Sequence, residues 1–141
     1  MSTPVAVITG ASSGIGEALA KVYAARGFQT VLLARRLDRT QTLAQSLSPM
    51  GLALAADVTC DSDLHEACAT TLEKYGRVDT VVANAGFGVS GLVEKLTIAD
   101  YQKQFETNVY GVLRTFYAFK DALKQSRGRF AIIGSVNGYI A

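Results

Sequence analysis

The fold is decided by the stretch Val5-Ala6-Val7-Ile8-Thr9-Gly10-Ala11-Ser12-Ser13-Gly14-Ile15-Gly16. A short apolar run of the kind found in buried strands passes through a glycine-rich turn directly into a helical pattern. Glycines let the backbone turn tightly and approach a ligand closely, and the free N–H groups at the start of a helix attract phosphate. The stretch therefore predicts a strand, a phosphate-binding loop and a helix.

The glycine spacing narrows the kind of phosphate loop. Three residues separate Gly10 from Gly14 and one separates Gly14 from Gly16, which differs from the common G-x-G-x-x-G. The loop also lacks the Lys-Ser/Thr pair of an ATPase loop, which argues against a triphosphate ligand. Three glycines alone are equally consistent with a plain turn, so the assignment depends on the rest of the chain.

Short apolar strands alternate with longer helical patterns along the whole sequence. The strands are predicted at 5–8, 30–34, 52–56, 80–83 and 130–133, and the helices at 15–25, 37–47, 63–75 and 98–124. The strands are almost entirely apolar, as expected when helices cover both faces of a parallel sheet. We predict an α/β fold with a Rossmann-like doubly wound parallel sheet of strand order 3-2-1-4-5. Residues 1–141 form one domain in this prediction, incomplete at its C-terminal edge.

Composition excludes several other classes of protein. The chain has 141 residues, 49% of them hydrophobic, which fits a single domain with its own core. A formal net charge of +2 gives no reason to expect nucleic acid, and no apolar run reaches the roughly 20 residues that cross a membrane. The start Met1-Ser2-Thr3-Pro4 lacks a secretion signal, so we expect a cytoplasmic protein. Cys60 and Cys68 fit reduced thiols, and no metal site is predicted.

The end of the second strand indicates which nucleotide is bound. Ala34 lies 18 positions after Gly16, near the place where an acidic residue would hold a ribose 2′-hydroxyl. Arg35-Arg36 follows instead and offers guanidinium groups to a 2′-phosphate, with Ser12-Ser13 as further donors. The sequence therefore favours NADP(H) over NAD(H). The simpler alternative is that the arginines only solvate the start of the second helix.

Five motifs occur in order along these elements: Thr9 to Gly16 as T-G-x-x-x-G-x-G, Asp57-Val58, Asn84-Ala85-Gly86, Asn108 with Gly111, and Ser135-Val136-Asn137-Gly138. With them the chain resembles the N-terminal portion of a short-chain dehydrogenase/reductase. The resemblance covers the whole sequence. Loop and resemblance together give the expected cofactor-binding residues, which are Gly10, Ser12, Ser13, Gly14, Ile15, Gly16, Arg35, Arg36, Asp57, Val58, Asn84, Ala85 and Gly86.

The resemblance also implies individual roles. Asp57 and Val58 would flank the adenine, and Asn84 to Gly86 would line the cofactor cleft and brace the sheet. Ser135 would hydrogen-bond the substrate carbonyl oxygen and stabilise the charge that develops there. Asn108 would expose a helix carbonyl that binds a relay water. The simpler alternatives are a turn residue at Asn84 and an ordinary polar helix residue at Asn108.

The candidate residues are expected to lie together even when the resemblance is left aside. In an open α/β sheet, ligands bind beyond the carboxyl ends of the strands. Five of the candidate residues each follow a predicted strand, and they are Gly10, Arg35, Asp57, Asn84 and Ser135. We therefore expect them to line one crevice, with the segment 87–96 as one of its walls.

One family feature is absent from these 141 residues. In the family, a Tyr exchanges the proton and a Lys four positions later lowers the pKa of that Tyr, but no such pair occurs here. Tyr139 lies four residues after Ser135, yet without a Lys we expect its hydroxyl to keep the ordinary Tyr pKa of about 10 and to be a poor base. We expect His65, the single histidine, to be a surface residue and not a catalytic one. We expect this chain to bind NADP(H) weakly and to lack reductase activity.

Two functions remain open at this point. The first is an NADP(H)-dependent oxidoreductase acting on a carbonyl or alcohol substrate, and the alternative is a non-catalytic nucleotide-binding or interaction module. A methyltransferase would need an acidic residue where Ala34 stands. In either case we expect a homo-oligomer, because the resemblance places the long helix at a dimer interface and the last strand has an edge to cover.

Overall fold

The computed structural model describes residues 2–136, so Asn137, Gly138 and Tyr139 lie outside the described residues. Five parallel strands form one sheet in the order β3-β2-β1-β4-β5. The strands are β1 Val5–Thr9, β2 Gln29–Ala34, β3 Gly51–Ala55, β4 Thr80–Ala83 and β5 Arg129–Ile132. The predicted doubly wound sheet and its strand order are confirmed.

Helices connect the strands. They are α1 Gly14–Ala25, α2 Leu37–Ser46, α3 Asp61–Tyr75, α4 Ile98–Phe105 and α5 Gly111–Ser126, with a 3₁₀ turn at Val93–Lys95 and a π-helical turn at Glu106–Tyr110. A capping box starts α4, since Thr97 and Asp100 exchange hydrogen bonds between their side chains and backbone amides.

The predicted single helix over 98–124 is wrong in one respect. Its path is continuous, but Glu106–Tyr110 widens into a π turn that separates α4 from α5. Such turns accommodate a residue that does not fit the α-helical register and are frequent at functional sites. Here the turn carries Asn108, whose side chain is bound to the loop after β4. Sequence periodicity did not reveal this tertiary contact.

The core lies on both faces of the three central strands. All residues of β1 are buried, and so are all of β2 except Gln29 and all of β4 except Thr80. Phe119 and Leu64 belong to the cluster on one face, and Ala20 and Leu43 to the cluster on the other. The outer strands differ, because β3 is only partly buried and β5 is largely exposed. The sheet is therefore most completely buried along β1, the strand that leads into the glycine loop.

Two further expectations from the sequence concern the cysteines and membrane-spanning helices. Cys60 is half-buried and Cys68 buried, and both are free thiols. Burial is the main reason that the pKa of Cys68 is raised above its ordinary value. Within residues 2–136, no helix has the length and apolar character needed to cross a bilayer.

Candidate functional site

A cleft of about 1020 Å³ lies at the carboxyl ends of the strands. This is the edge at which parallel α/β sheets bind ligands. Most of the residues predicted from the sequence line it, and they are Gly10, Ser12, Ser13, Ile15, Arg35, Asp57, Val58, Asn84, Ala85, Gly86, Asn108 and Ser135. Three of the predicted residues, Gly14, Gly16 and Arg36, are not among those lining the cleft.

The glycine loop turns tightly from β1 into α1. Gly10 has φ +65° and Gly14 has φ +58°, a region that side chains other than glycine rarely adopt. Gly16 is required for a different reason: a Cβ there would lie 2.4 Å from the carbonyl oxygen of Gly10 and 2.6 Å from Nδ2 of Asn84. Gly14 through its backbone conformation and Gly16 through close packing thus determine the shape of the loop without lining the cleft. Helix α1 begins within this loop, at Gly14. The backbone N–H groups of its first turn have no partner within the helix and can bind an anion.

The Thr9 hydroxyl ties the loop to β4. Its Oγ1 accepts hydrogen bonds from the backbone amides of Asn84 and Ala85, both at 3.0 Å, and donates to the carbonyl of Val82 at 3.5 Å. Thr9 is almost fully buried, so these bonds are shielded from water. In the sequence, Thr9 stands out only as part of the glycine motif. A hydroxyl residue as the last residue of a buried strand was the available signal.

Asn84 holds the same loop from the other side. Its Nδ2 donates to the carbonyl oxygens of Thr9 at 3.1 Å and of Gly10 at 3.2 Å. The side chain therefore bridges two strand ends, and the alternative of a turn residue bonded to its own backbone is not what the structure shows. Thr9 and Asn84 together fix the positions of the carboxyl ends of β1 and β4 relative to each other.

The two arginines after β2 lie in different places. Arg35 lines the cleft next to Ala34, the last residue of β2. Arg36 is exposed and precedes α2 as its N-cap residue, outside the cleft lining. Because the two positions are adjacent, the sequence did not separate the arginine that reaches the cleft from the one that does not.

Asp57 and Val58 form the cleft wall beyond β3. Oδ1 of Asp57 accepts hydrogen bonds from the amide of Thr59 at 2.9 Å and from its hydroxyl at 2.8 Å. The Asp57 amide donates to Oδ2 of Asp63 at 3.0 Å, and this bond is the main cause that lowers the pKa of Asp63. Val58 is buried, and a Cβ at Gly111 would lie 2.8 Å from its Cγ2. The glycine predicted with Asn108 is thus explained by close packing on Val58.

Asn108 binds the backbone of the loop after β4 with both ends of its amide. Oδ1 accepts from the amide of Phe87 at 3.0 Å, and Nδ2 donates to the carbonyl of Phe87 at 2.7 Å. Asn108 is therefore more than a polar residue on a long helix. Its side chain sets the distance between the π turn and the cleft wall.

Several cleft residues were missed from the sequence. The expected wall at 87–96 contributes Phe87, Gly88 and Val89, and Ala34 lines the cleft where an acidic residue is absent. The remaining lining residues were not singled out from the sequence, and they are Ala56, Gln104, Thr107, Val109, Val112, Ile133 and Gly134. Gln104 accepts a hydrogen bond from the Val89 amide at 2.7 Å. The available signal was a pair of amide side chains, Gln104 and Asn108, four positions apart on one helical path.

Ser135 completes the cleft on the β5 side. It follows the last residue of β5, Ile132, by three positions and lines the cleft with Ile133 and Gly134. The Ile133 amide donates to the carbonyl of Ala83 at 3.0 Å, which continues the β4–β5 pairing to the cleft edge. The structure thus places a serine hydroxyl, a glycine loop and an arginine around one crevice.

Comparison with known proteins agrees with this arrangement. The family model described as short chain dehydrogenase matches residues 4–141. The chain belongs to this family. An uncharacterized oxidoreductase of Staphylococcus epidermidis is 35% identical over 136 residues, and the match covers 96% of this chain and 59% of that protein. The chain therefore spans less than two thirds of the length of this relative.

Two solved structures that resemble this chain contain different nucleotides. An alcohol dehydrogenase of Thermococcus sibiricus complexed with 5-hydroxy-NADP is 40% identical with a TM-score of 0.86, covering 92% of this chain and 57% of that one. A 3-ketoacyl-(acyl-carrier-protein) reductase of Brucella melitensis complexed with NADH is 32% identical with a TM-score of 0.84, covering 88% of this chain and 51% of that one.

Proposed function

We propose that this chain is the cofactor-binding part of an NADP(H)-dependent oxidoreductase that acts on a carbonyl or alcohol substrate. The observation that carries the proposal is Arg35 in the cleft wall, next to a glycine loop at a helix N-terminus. The loop amides suit a pyrophosphate, and the guanidinium suits the additional 2′-phosphate of NADP(H). A bound nicotinamide would supply or accept the hydride.

The choice of NADP(H) rests on charge. The residue at the end of β2 is Ala34, so no carboxylate stands there to hold a 2′-hydroxyl or to repel a phosphate. Ser12 and Ser13 line the cleft and add hydroxyl donors. One related structure contains an NADP derivative and another contains NADH, so the relatives by themselves allow both nucleotides.

The test is calorimetric titration of the chain with NADPH and with NADH. We expect NADPH to bind at least tenfold more tightly, and Arg35→Ala to weaken NADPH by roughly 10- to 100-fold, since hydrogen bonds to charged groups are worth about 1.5–3 kcal/mol. Arg26→Ala is the matched control, because Arg26 is exposed at the end of α1 and does not line the cleft. Equal affinity for the two nucleotides, or an unchanged Arg35→Ala variant, would refute the NADP(H) preference.

The proposed catalytic contribution of this chain is limited to binding and charge stabilisation. The Ser135 hydroxyl would hydrogen-bond the substrate oxygen as the carbonyl is reduced, and Asn108 would hold the helix carbonyl that binds a relay water. The proton must come from another donor, and the 141 residues contain no Tyr followed by Lys at the fourth position. The second candidate is a nucleotide-binding module without catalysis.

An activity assay separates these possibilities. We expect the 141-residue chain to bind NADPH without carbonyl-dependent loss of NADPH absorbance. Turnover by the pure chain would show that the missing pair is dispensable. Turnover only by a longer protein that includes these residues and a Tyr-x-x-x-Lys would exclude the non-catalytic module.

A homo-oligomer is part of the proposal. An apolar stripe runs along α4, the π turn and α5, and its exposed members are Ile98, Tyr101, Phe105, Val109, Leu113, Phe116 and Tyr117. Contiguous exposed apolar surface of this kind marks an association site. In sedimentation velocity we expect a dimer or larger species that dissociates in a Phe105→Glu/Leu113→Glu variant but not in Val22→Glu, whose site on α1 is also exposed. A monomer at every concentration would contradict association through this stripe.

A further inference from the structure

The loop after β4 depends on side chains for its backbone hydrogen bonds. Residues 84–90 form no helix or strand, so their amides and carbonyls need partners elsewhere. Asn108 binds Phe87 through two bonds, and Gln104 accepts from the Val89 amide at 2.7 Å. Two amide side chains on one helical path thus hold the cleft wall at residues 87–89.

Gln104 makes its contact from an exposed helix. It lies on α4, and none of the eight residues of that helix is buried. Apolar packing therefore contributes little to the position of α4 on the domain, and a helix of this kind opens locally at low free-energy cost. The bond from Val89 to Gln104 is a specific connection between this exposed helix and the cleft.

The position of the contact defines which part of a ligand it affects. The glycine loop lies at the end of β1, Arg35 lies on the β2 side of it, and residues 87–89 lie beyond β4 on the opposite side. A dinucleotide whose pyrophosphate occupies the loop and whose 2′-phosphate reaches Arg35 must extend its other half towards residues 87–89. This step rests on the proposed function.

We infer that Gln104 is a positioning residue for the nicotinamide half of the cleft. It acts through Val89: by holding that amide, it keeps the wall at 87–89 at a fixed distance from the loop and from Ser135. An amide oxygen is the required feature, because only an acceptor can hold the Val89 N–H. A side chain of equal size without an acceptor would fill the same space but leave the Val89 amide unbound, so that the wall at 87–89 could move.

The contact itself is tested by hydrogen exchange of the Val89 amide, followed by NMR. We expect Gln104→Leu to accelerate exchange by about tenfold, the factor that corresponds to the loss of one net hydrogen bond. Gln104→Glu keeps the acceptor and should exchange at the wild-type rate. Gln102→Leu is the matched control, since Gln102 is exposed on the same helix and does not line the cleft. Equal exchange rates in Gln104→Leu and the wild type would overturn the inference.

The positioning role is tested by comparing two probes, NADPH and adenosine 2′,5′-bisphosphate, which lacks the nicotinamide half. We expect Gln104→Leu to weaken NADPH by roughly 3- to 10-fold and to leave the bisphosphate unchanged, whereas Gln104→Glu restores NADPH binding. Equal weakening of both probes would indicate general destabilisation and refute the role, as would unchanged NADPH affinity. If the wild-type chain binds neither probe, the proposed function fails and the cofactor role of Gln104 fails with it. The exchange measurement still decides whether the contact exists.

Discussion

The two ends of the cleft are built by different means. The phosphate end, which is the Thr9–Gly16 turn with Asn84, grows from fully buried strands and brings backbone atoms into close contact. The loop end, which is residues 86–89 with Gln104 and Asn108, lies on exposed segments and is held by side-chain amides. One end is determined by close packing, and the other by a few hydrogen bonds.

This difference determines which positions of the cleft tolerate substitution. At Gly10 and Gly16 of the phosphate end, an added Cβ would lie within 3 Å of backbone atoms, so the backbone must shift. At the loop end, a Cβ on Gly88 would meet nothing within 4 Å. Binding sites are commonly arranged this way, with variable loops on a rigid scaffold. The phosphate end should therefore tolerate few substitutions, and the loop end many.

The largest effect is expected for Gly16→Ala. The new Cβ would lie 2.4 Å from the Gly10 carbonyl oxygen, so the glycine loop must move or α1 must shift. We expect NADPH affinity to fall by at least about 100-fold and the free energy of unfolding by roughly 1–3 kcal/mol. Calorimetric titration and urea unfolding measure the two quantities.

Gly88→Ala is the matched substitution at the loop end. Gly88 lines the cleft, has open space around it and is not among the glycines with positive φ. We expect stability to change by less than about 0.5 kcal/mol and NADPH affinity by less than a factor of about three. The contrast between the two ends breaks down if both alanine variants lose affinity equally.

An intermediate effect is expected for Thr9→Val. The substitution keeps the shape of the side chain but leaves the amides of Asn84 and Ala85 without their acceptor. Buried groups that lose a partner cost about 1–3 kcal/mol, so we expect a loss of that size in the free energy of unfolding and weaker NADPH binding. Urea unfolding and titration provide the measurements.

Thr71→Val is the control for this change. Thr71 is also fully buried, but its hydroxyl only donates to the Ala67 carbonyl within α3. No backbone amide loses its acceptor, so we expect a loss below about 1 kcal/mol and unchanged NADPH affinity. A larger cost at Thr71 than at Thr9 would contradict the role assigned to the Thr9 hydroxyl.

The same contrast explains what the sequence predicted. The fold follows from the alternation of apolar runs and helical patterns along the whole chain, and the phosphate end from the glycine positions between Val5 and Gly16. Arg35, Asp57, Asn84 and Ser135 were expected in one crevice because each follows a strand, and the structure brings them together.

The loop end was less predictable because it depends on tertiary contacts. Nothing in the helical pattern indicates that Gln104 binds Val89 or that the π turn carries Asn108 towards Phe87. Arg36 was grouped with Arg35, although the backbone turns into α2 between them and takes Arg36 out of the cleft lining. Periodicity identifies the face on which a residue lies, but not the partner that it meets there.

The smallest effect on binding is expected for Asp79→Asn, which lies at the amino ends of the strands, away from the cleft. Burial alone would raise the pKa of Asp79, but hydrogen bonds from Arg77 and the Val5 amide outweigh burial and lower that pKa. The charged carboxylate therefore stabilises the fold above its unfolded pKa of about 3.9, and this contribution disappears as pH falls through the lower folded value. We expect Asp79→Asn to cost roughly 1–3 kcal/mol at pH 7 in urea unfolding, and the cost to shrink below about pH 4.

NADPH affinity should not change in Asp79→Asn at pH 7, although its stability loss matches that of Thr9→Val. The comparison therefore shows whether lost affinity follows from lost stability or from displacement of the phosphate end. Asp121→Asn is the control, because Asp121 and its partner Lys124 are each 76% exposed at 3.8 Å and such pairs contribute little. If Asp79→Asn weakened NADPH binding as much as Thr9→Val, the affinity losses would reflect global stability. The loss in Thr9→Val could then not be assigned to displacement of the phosphate end of the cleft.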